Sequence, residues 1–428
     1  MKPGDLTARD RRHVWHPYTQ HATEAAPLEV ASARGAVLRL TDGREIVDAI
    51  SSWWTCLHGH GHPRIAEAIG RQARDLDHVI FAGATHEPAV RLAEELVELA
   101  PRGLSRVFFT DNGSTAVEVA LKIAYQHHLQ RGEGSRRTFV AFDGGYHGDT
   151  FGAMSVGDPD PFFEPFAPLL FQVERVPLDA GAVDAALLRL GERAAGVVLE
   201  PLVQGAGGMR MQDAGFVRAV RAAASRAGVP LIADEVMTGF GRTGALFACE
   251  KAGVEPDLMC VAKGLTGGTM PLAATLATEA LFESFLSNER SRALFHGHSF
   301  TAHPVGCAAA LASIEVVREE RTPERLEAIG ARLEERLVRD LPDEVSRPRR
   351  TGGIVAFDVG GASGGGYLSE LGPRLRRTAI ERGVLLRPLG DVCYAMPPSC
   401  LDEAQIELVA DALVALAEEA VSLRSRVT

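Results

Sequence analysis

Three ionisable residues directly follow short apolar runs in the middle of the chain. Glu200 comes after Val-Val-Leu, Asp234 after Leu-Ile-Ala and Lys263 after Cys-Val-Ala. If these runs are parallel strands, their carboxyl ends share the edge at which such sheets bind ligands. A lysine amine can form a Schiff base with an aldehyde, and a carboxylate can keep a pyridine ring protonated so that it accepts electrons. Asp234 and Lys263 therefore suit an aldehyde cofactor, although on spacing alone an ordinary salt bridge is the commoner explanation.

An anion site is predicted at residues 111–114, which read Asp-Asn-Gly-Ser and follow another apolar run. Backbone N–H groups and the positive end of a helix would hold a phosphate there, with Gly113 and Ser114 as the candidate ligands. Thr115 and Glu118 have the spacing of a capping box, which predicts that a helix begins at this point. A glycine–serine pair also occurs in many simple caps, so the pattern is weak by itself.

The elements that must position these residues alternate along the middle of the chain. Apolar runs followed by stretches of helical periodicity predict an α/β fold, with a mainly parallel sheet covered by helices. The predicted strands are residues 106–110, 138–142, 195–199, 229–233 and 258–262, and the predicted helical stretches are 115–128, 216–227, 304–339 and 402–423.

The two ends of the chain differ from this middle. Residues 35–44 alternate in polarity like an exposed hairpin strand, and the glycine-rich residues 360–366 are typical of a loop. We therefore expect both ends to build one smaller α+β domain. The predicted boundaries are residues 1–60 and 315–428 for this small domain and residues 61–314 for the large cofactor-binding domain.

Composition excludes some classes of function. The chain of 428 residues has a net charge of −11, which argues against a broad nucleic-acid surface. Its six cysteines are scattered without a C-x-x-C pair, as expected of small core residues in a reducing compartment. The sequence has neither an apolar run of membrane-spanning length nor an apolar signal core at its start. We therefore expect a cytoplasmic protein that acts on small molecules.

Two longer stretches resemble a known family. Residues 231–244 read LIADEVMTGFGRTG, and residues 262–268 read AKGLTGG. They closely resemble the signature of the class III, fold-type I aminotransferases, which depend on pyridoxal 5'-phosphate (PLP). The resemblance runs from His16 to about Pro398 and so covers nearly the whole chain.

The resemblance implies a role for each candidate residue. Lys263 would carry PLP as a Schiff base and later move a proton between substrate and cofactor. Asp234 would pair with the pyridine nitrogen, and Gly113 and Ser114 would bind the phosphate. In this family the active site lies between two subunits, which implies a homodimer in which Ser299 contributes to the partner's phosphate site.

Five further segments narrow the resemblance: WHPYT at 15–19, SSWW at 51–54, YHGDTFGAMS at 146–155, EPLVQGAGGMR at 200–210 and LRPLG at 386–390. They resemble the branch of the class that works in biotin biosynthesis. This implies amination of the ketone of 7-keto-8-aminopelargonate (8-amino-7-oxononanoate) to give 7,8-diaminopelargonate, with S-adenosylmethionine as the usual amino donor.

Large side chains in these segments suit a long aliphatic substrate with polar ends. Tyr146 offers a flat face to the pyridine ring, while Tyr18, Trp53 and Trp54 offer apolar walls with polar tips. Arg387 could clamp the far carboxylate with two hydrogen bonds. Core packing is the ordinary alternative for the two tryptophans.

The segment HGHSFT at residues 296–301 departs from the usual HGPTFM of the family. We assign Gly297 to the substrate site and His298 and Ser299 to the cofactor site, because Ser299 keeps a hydroxyl for the phosphate. His298 replaces a proline, and a similar His-Ser pattern occurs in relatives that take lysine as donor. Lysine is therefore the alternative to S-adenosylmethionine.

Other functions would share Lys263 and Asp234. An aminotransferase for ornithine, 4-aminobutyrate or an ω-amine would need a different substrate wall, and an aminomutase would need no separate donor. A non-enzymatic PLP-binding protein is disfavoured because the sequence shows no DNA-binding helix pair or basic face.

Four further residues could be taken for ligands. The alternating histidines His58, His60 and His62 can suggest a metal site, but on a glycine-rich turn we predict loop and cap residues and assign no metal. Arg242 is expected to have a structural role near the site.

Overall fold

A sheet of seven strands forms the centre of the protein in a computed structural model that describes residues 5–158, 162–360 and 371–425. The strands are β1 Val30–Arg34, β2 Val37–Leu40, β3 Glu45–Asp48, β4 Leu104–Thr110, β5 Thr138–Phe142, β6 Glu174–Val176, β7 Ala194–Leu199, β8 Val203–Gln204, β9 Arg210–Met211, β10 Leu231–Asp234, β11 Leu258–Val261, β12 Ala273–Thr278, β13 Arg349–Thr351, β14 Ile354–Asp358, β15 Val384–Leu385 and β16 Val392–Ala395. The helices are α1 Asp5–His13, α2 Ser51–Trp54, α3 Pro63–Asp75, α4 Glu87–Leu99, α5 Gly113–Gln130, α6 Phe151–Val156, α7 Ala180–Leu190, α8 Ala214–Ala227, α9 Ala248–Ala252, α10 Glu279–Glu283, α11 Pro304–Glu319, α12 Thr322–Asp340, α13 Leu371–Glu381 and α14 Glu403–Ser425.

The central sheet has the strand order β4-β12-β11-β10-β7-β5-β6. Strand β12 runs antiparallel to both of its neighbours, and the other pairings are parallel, so the sheet is mainly parallel as predicted. Every residue of β7, β10 and β11 is buried, which explains why these strands are continuous apolar runs rather than alternating ones. All five strands predicted from the sequence coincide with strands of this sheet.

The predicted stretch 304–339 is two helices rather than one. Helix α11 ends at Glu319, and Arg321 takes a left-handed backbone conformation with φ 53°. Pro323 then lies in the first turn of α12. The left-handed conformation of Arg321 ends the helical hydrogen bonding of α11. Proline is tolerated at the start of α12 because its missing N–H would have no helical partner there.

Helix α5 begins earlier than the predicted capping box. Its N-cap is Asn112, whose side chain accepts a hydrogen bond from Thr115 N at 3.0 Å, while Thr115 Oγ1 accepts from Asn112 N at 3.4 Å. Glu118 is not part of the cap, because its carboxylate accepts from Gly152 N at 2.7 Å. The helix therefore starts one turn closer to the sheet edge.

The two ends of the chain meet in a second sheet of order β1-β2-β3-β15. The predicted hairpin segment 35–44 contains β2, which pairs antiparallel with β3. Strand β15, from the C-terminal part, pairs in parallel with β3. The predicted loop 360–366 lies outside the described residues except for Gly360. Within the described ranges, no helix combines the length and apolarity needed to cross a membrane.

Candidate active site

The carboxyl ends of the central strands face a cavity of about 640 Å³. This is the edge at which α/β sheets bind ligands. Six of the residues predicted from the sequence line this cavity together: Trp54, Gly113, Ser114, Tyr146, Asp234 and Lys263.

Lys263 follows β11 and has a strained backbone conformation, with φ 43°. Burial lowers the pKa of its amine to about 8, although the carboxylates of Asp234 and Glu200 act in the opposite direction. Its Nζ lies 4.7 Å from the ring centre of Trp54. Among the described residues no carboxylate lies within ion-pair distance of Nζ, so the salt-bridge explanation of the sequence pattern does not hold in this structure. A lysine of this kind is partly neutral near pH 8 and can act as a nucleophile.

Asp234 is the last residue of β10 and is held by two hydrogen bonds. His147 Nδ1 donates to its Oδ2 at 2.7 Å, and Val236 N donates to its Oδ1 at 3.1 Å. Burial opposes the charged form of His147, but the hydrogen bond and the charge of Asp234 outweigh it and raise the histidine pKa. The raised pKa makes His147 a cationic partner for the Asp234 side chain.

His147 was absent from the candidates proposed from the sequence. It lies directly after Tyr146, but 87 positions separate it from Asp234, so only the tertiary structure reveals the pair. The available signal was a histidine within the segment that resembles the family.

Glu200 directly follows β7 and supports the backbone of the site. Its carboxylate accepts hydrogen bonds from Tyr146 N at 3.0 Å and from Gly205 N at 2.9 Å. Burial raises its pKa to about 7. The sequence placed Glu200 at the sheet edge without giving it a role, and these bonds show that it holds the loop carrying Tyr146.

The start of α5 forms the anion-binding end of the cavity. A Cβ atom on Gly113 would lie 2.6 Å from Val236 Cγ1, so only glycine fits there. Ser114 Oγ lies 2.8 Å from Thr150 Oγ1 and accepts a hydrogen bond from Thr150 N at 3.0 Å. The N–H groups of a helix start together with fixed hydroxyls suit a phosphate.

Two phenols and a carboxylate form a network beside the cavity. Tyr18 Oη donates to the carboxylate of Asp149 at 2.7 Å, Tyr146 Oη donates to the same carboxylate at 3.0 Å, and the two phenols lie 3.2 Å apart. Burial, followed by these neighbours, raises the pKa of Tyr146. Asp149 was absent from the sequence-based candidates, although it stands three residues after Tyr146.

The remaining substrate candidates meet at this network. The rings of Tyr18 and Trp53 are 5.8 Å apart in an edge-to-face arrangement, and Arg387 Cζ lies 5.0 Å from the ring centre of Trp53. Trp53 is 42% exposed, so it has surface to offer a ligand. Trp54 is 4% exposed and its indole donates to Tyr394 Oη at 2.9 Å, so it packs in the core while one part of it lines the cavity.

Gly297, His298 and Ser299 do not line this cavity. His298 Nε2 lies 3.9 Å from Asp111 Oδ1 at the rim, and Ser299 is exposed. A single chain therefore does not bring these three residues to Lys263.

The alternating histidines contact separate partners. His58 Nε2 lies 3.1 Å from Ser313 Oγ, and His60 Nε2 lies 2.9 Å from Asp48 Oδ2. His62 Nε2 lies 3.4 Å from Glu320 Oε1. Arg242 is buried, and its guanidinium donates to the carbonyl oxygens of Pro397 at 2.7 Å and Trp54 at 3.4 Å. Arg242 thus ties the segment of Trp54 to the C-terminal part of the chain.

The cavity fits the cofactor that the resemblance implies. Lys263 supplies an amine of lowered pKa, and Asp234 supplies a carboxylate that is hydrogen-bonded to His147. The start of α5 supplies an anion site, where position 113 has no room for a side chain. These are the three features needed for the aldehyde, the ring nitrogen and the phosphate of PLP.

Comparisons with known proteins agree with this chemistry. Residues 18–416 match the family model described as Aminotransferase class-III. The adenosylmethionine-8-amino-7-oxononanoate aminotransferase of Synechococcus elongatus is 50% identical over 95% of this chain and 99% of its own length, and that of Nitratidesulfovibrio vulgaris is 43% identical over 96% and 82%.

Solved structures agree as well. The enzyme of the same name from Methanocaldococcus jannaschii superposes with a TM-score of 0.92 at 35% identity, covering 97% of this chain and 98% of the other. An ω-transaminase from Pseudomonas jessenii, solved in complex with PMP, gives 0.90 at 26% identity, covering 98% of each chain. These matches confirm the fold-type I class, the aminotransferase activity and the PLP cofactor predicted from the sequence. The chain belongs to the class III aminotransferase family.

Proposed function

We propose that this aminotransferase converts 8-amino-7-oxononanoate into 7,8-diaminopelargonate, with S-adenosylmethionine as the amino donor. The observation that carries the proposal is the group formed by Tyr18, Trp53 and Arg387. This group adjoins the cavity of Lys263, because Tyr18 contacts Tyr146 and Asp149, which line it. It combines aromatic walls for an aliphatic chain with a guanidinium for a terminal carboxylate. Relatives that carry the corresponding name, at up to 50% identity over nearly the whole chain, support it.

PLP, when bound, supplies an aldehyde that takes up the amino group and a ring that accepts electrons from the substrate carbon. Lys263 would hold the aldehyde and then move a proton at the reacting carbon, because its lowered pKa makes both amine forms accessible near pH 8. Asp234 would keep the ring nitrogen protonated, and His147 would orient the Asp234 carboxylate through their hydrogen bond.

The surrounding groups would bind and orient the substrate. Glu200 fixes the backbone beside Tyr146, and Asp149 fixes the directions of the Tyr146 and Tyr18 hydroxyls. Arg387 would bind the far carboxylate and so set the distance between it and the ketone at Lys263. The donor and the keto substrate would use the same cavity in turn.

The test is a paired assay of the purified enzyme. With 8-amino-7-oxononanoate and S-adenosylmethionine, we expect the diamine product to form; with lysine in place of S-adenosylmethionine, we expect none. Product with lysine alone would reverse the choice of donor. Product without any donor would indicate an aminomutase, and activity only with ω-amines and keto acids would replace the proposed substrate.

Replacing Arg387 with alanine is expected to raise the KM for 8-amino-7-oxononanoate by about tenfold or more, the scale of a lost charge-assisted hydrogen bond, with a smaller change in kcat. The reason is that the guanidinium contacts the carboxylate equally before and during the reaction. Steady-state kinetics measure this, with Arg382→Ala, an exposed arginine five residues earlier, as the control. An unchanged KM would remove Arg387 from the substrate site.

We further propose that the enzyme acts as a homodimer with active sites at the interface. The exposed Ser299, outside the cavity of its own subunit, supports a contribution of residues 297–299 to the partner's site. We also propose that residues 1–60 and 315–428 form the small domain and residues 61–314 the large one. Six unpaired cysteines support a reducing compartment, and we propose the cytoplasm.

A further inference from the structure

The short element α2, Ser51–Trp54, carries both tryptophans and is a turn with partly non-helical backbone angles. Ser51, Ser52 and Trp54 all have positive φ, at 50°, 59° and 67°. Non-glycine residues rarely adopt this conformation, and such strain persists only where the surroundings hold it in place. The contacts of this turn therefore show what fixes the two tryptophans.

Asp48 accepts three hydrogen bonds from the turn and the residue before it. It ends β3 and has no exposed surface. Its Oδ1 accepts a hydrogen bond from Ile50 N at 3.2 Å, and its Oδ2 accepts from Ser52 N at 2.6 Å and from Ser52 Oγ at 3.1 Å. One carboxylate thus fixes the backbone on the side of the turn that precedes Trp53.

His60 completes the arrangement. Its Nε2 donates to Asp48 Oδ2 at 2.9 Å, and its own backbone is tied to Gly35 by hydrogen bonds of 2.7 and 2.9 Å. The hydrogen bond to Asp48, followed by the contact with Cys56, raises the pKa of His60 to about 10. A buried carboxylate is costly without a cation, and His60 supplies that cation from a rigid backbone position.

The same strand end also leads to the other wall of the substrate site. Asp48 is in register with Leu385 of β15, and Ala49 N donates to Leu385 O at 3.2 Å. Arg387 follows two residues later and lies over the Trp53 ring. The segment of Trp53 and the segment of Arg387 therefore both leave the β3–β15 pair next to Asp48.

We propose that the Asp48–His60 pair is a positioning device that sets substrate specificity by holding the 51–54 turn so that Trp53 faces Arg387. The proposal rests on the proposed function for the identity of the substrate. Neither Asp48 nor His60 lines the cavity. Both would therefore act on the substrate only through the turn that they hold.

Three variants test the device: Asp48→Asn, His60→Gln and Ser52→Ala. We expect His60→Gln and Asp48→Asn to raise the KM for 8-amino-7-oxononanoate by about tenfold, while kcat changes by less than about threefold and PLP content is unchanged. Ser52→Ala removes a single hydrogen bond and no charge, so the variant should fold normally. We expect its KM for 8-amino-7-oxononanoate to rise by about threefold.

A second readout needs no substrate. In a Trp15→Phe background the fluorescence reports only Trp53 and Trp54. We expect acrylamide to quench this fluorescence more strongly in Asp48→Asn and His60→Gln, because the released turn exposes the indoles. His128→Gln is the matched control, since His128 is also bonded to a carboxylate, that of Glu133 at 3.0 Å, and lies in α5 away from this turn. It should change neither KM nor quenching.

The outcomes separate the two proposals. Unchanged quenching and unchanged KM in all three variants would overturn the positioning role. This holds even if the variants have lower melting temperatures than the wild type. Stronger quenching with unchanged KM would overturn the role in specificity. If the wild type does not aminate 8-amino-7-oxononanoate, the proposed function fails, and the quenching still decides whether the pair holds the turn.

Discussion

Replacing Lys263 with alanine is expected to abolish turnover, by about 10⁴-fold or more, and to remove the long-wavelength absorbance of bound PLP. Burial lowers the pKa of this amine to about 8, which makes Lys263 the lysine best suited to bond the aldehyde and move the proton. Assays of diamine formation measure the loss of turnover, and absorbance spectra measure the loss of the PLP signal. Circular dichroism should show an intact fold, because the side chain faces the cavity and makes no ion pair within the described residues.

Lys251→Ala is the control for this change. Lys251 is partly exposed and donates to Thr243 O at 2.6 Å, outside the cavity lining. It should retain activity and absorbance. Borohydride reduction of the PLP-loaded wild type, followed by peptide mass analysis, should place the label on Lys263. A label on another lysine would contradict the assignment of the site.

Replacing Asp234 with asparagine is expected to lower kcat by about 10²- to 10³-fold, the range seen when one charge-stabilising group is removed from an active site. Asparagine keeps the shape of the side chain but has no charge, so the ring nitrogen would lose the partner that we propose keeps it protonated. His147 would in turn lose the carboxylate that raises its pKa. Single-turnover kinetics with saturating donor measure the loss.

Asp184→Asn controls for removal of a carboxylate, because Asp184 forms an exposed ion pair with Arg226 at 2.7 Å. Its kcat should equal that of the wild type. If Asp234→Asn kept kcat within about threefold of the wild type, Asp234 would not act on the ring.

The fold by itself does not decide the substrate. The Pseudomonas jessenii ω-transaminase and the Methanocaldococcus jannaschii enzyme carry different names, and both share this fold, with TM-scores of 0.90 and 0.92. The residues that would distinguish the functions are therefore those of the group beside the cavity, Tyr18, Trp53 and Arg387, rather than Lys263 and Asp234. This is why the Arg387 variant and the paired donor assay test the substrate, whereas the Lys263 variant tests only the class.

Much of this protein was determined by local sequence. The buried strands β7, β10 and β11 are continuous apolar runs, and the residue that ends or follows each one falls at the sheet edge, so Glu200, Asp234 and Lys263 could be placed without a structure. The start of α5 was also predictable, although the cap is Asn112 rather than Thr115, because several residues there have capping side chains.

Only the tertiary structure decided the contacts between distant segments. Examples are the pairing of His147 with Asp234, the hydrogen bond of Tyr18 to Asp149 and the position of Arg387 over Trp53. The approach of these residues depends on how sheets and loops pack. Periodicity reports which face of an element is buried, but it does not report which side chain stands opposite. The chemistry of the site could therefore be inferred from residue types at strand ends, whereas the orientation of those residues required the folded chain.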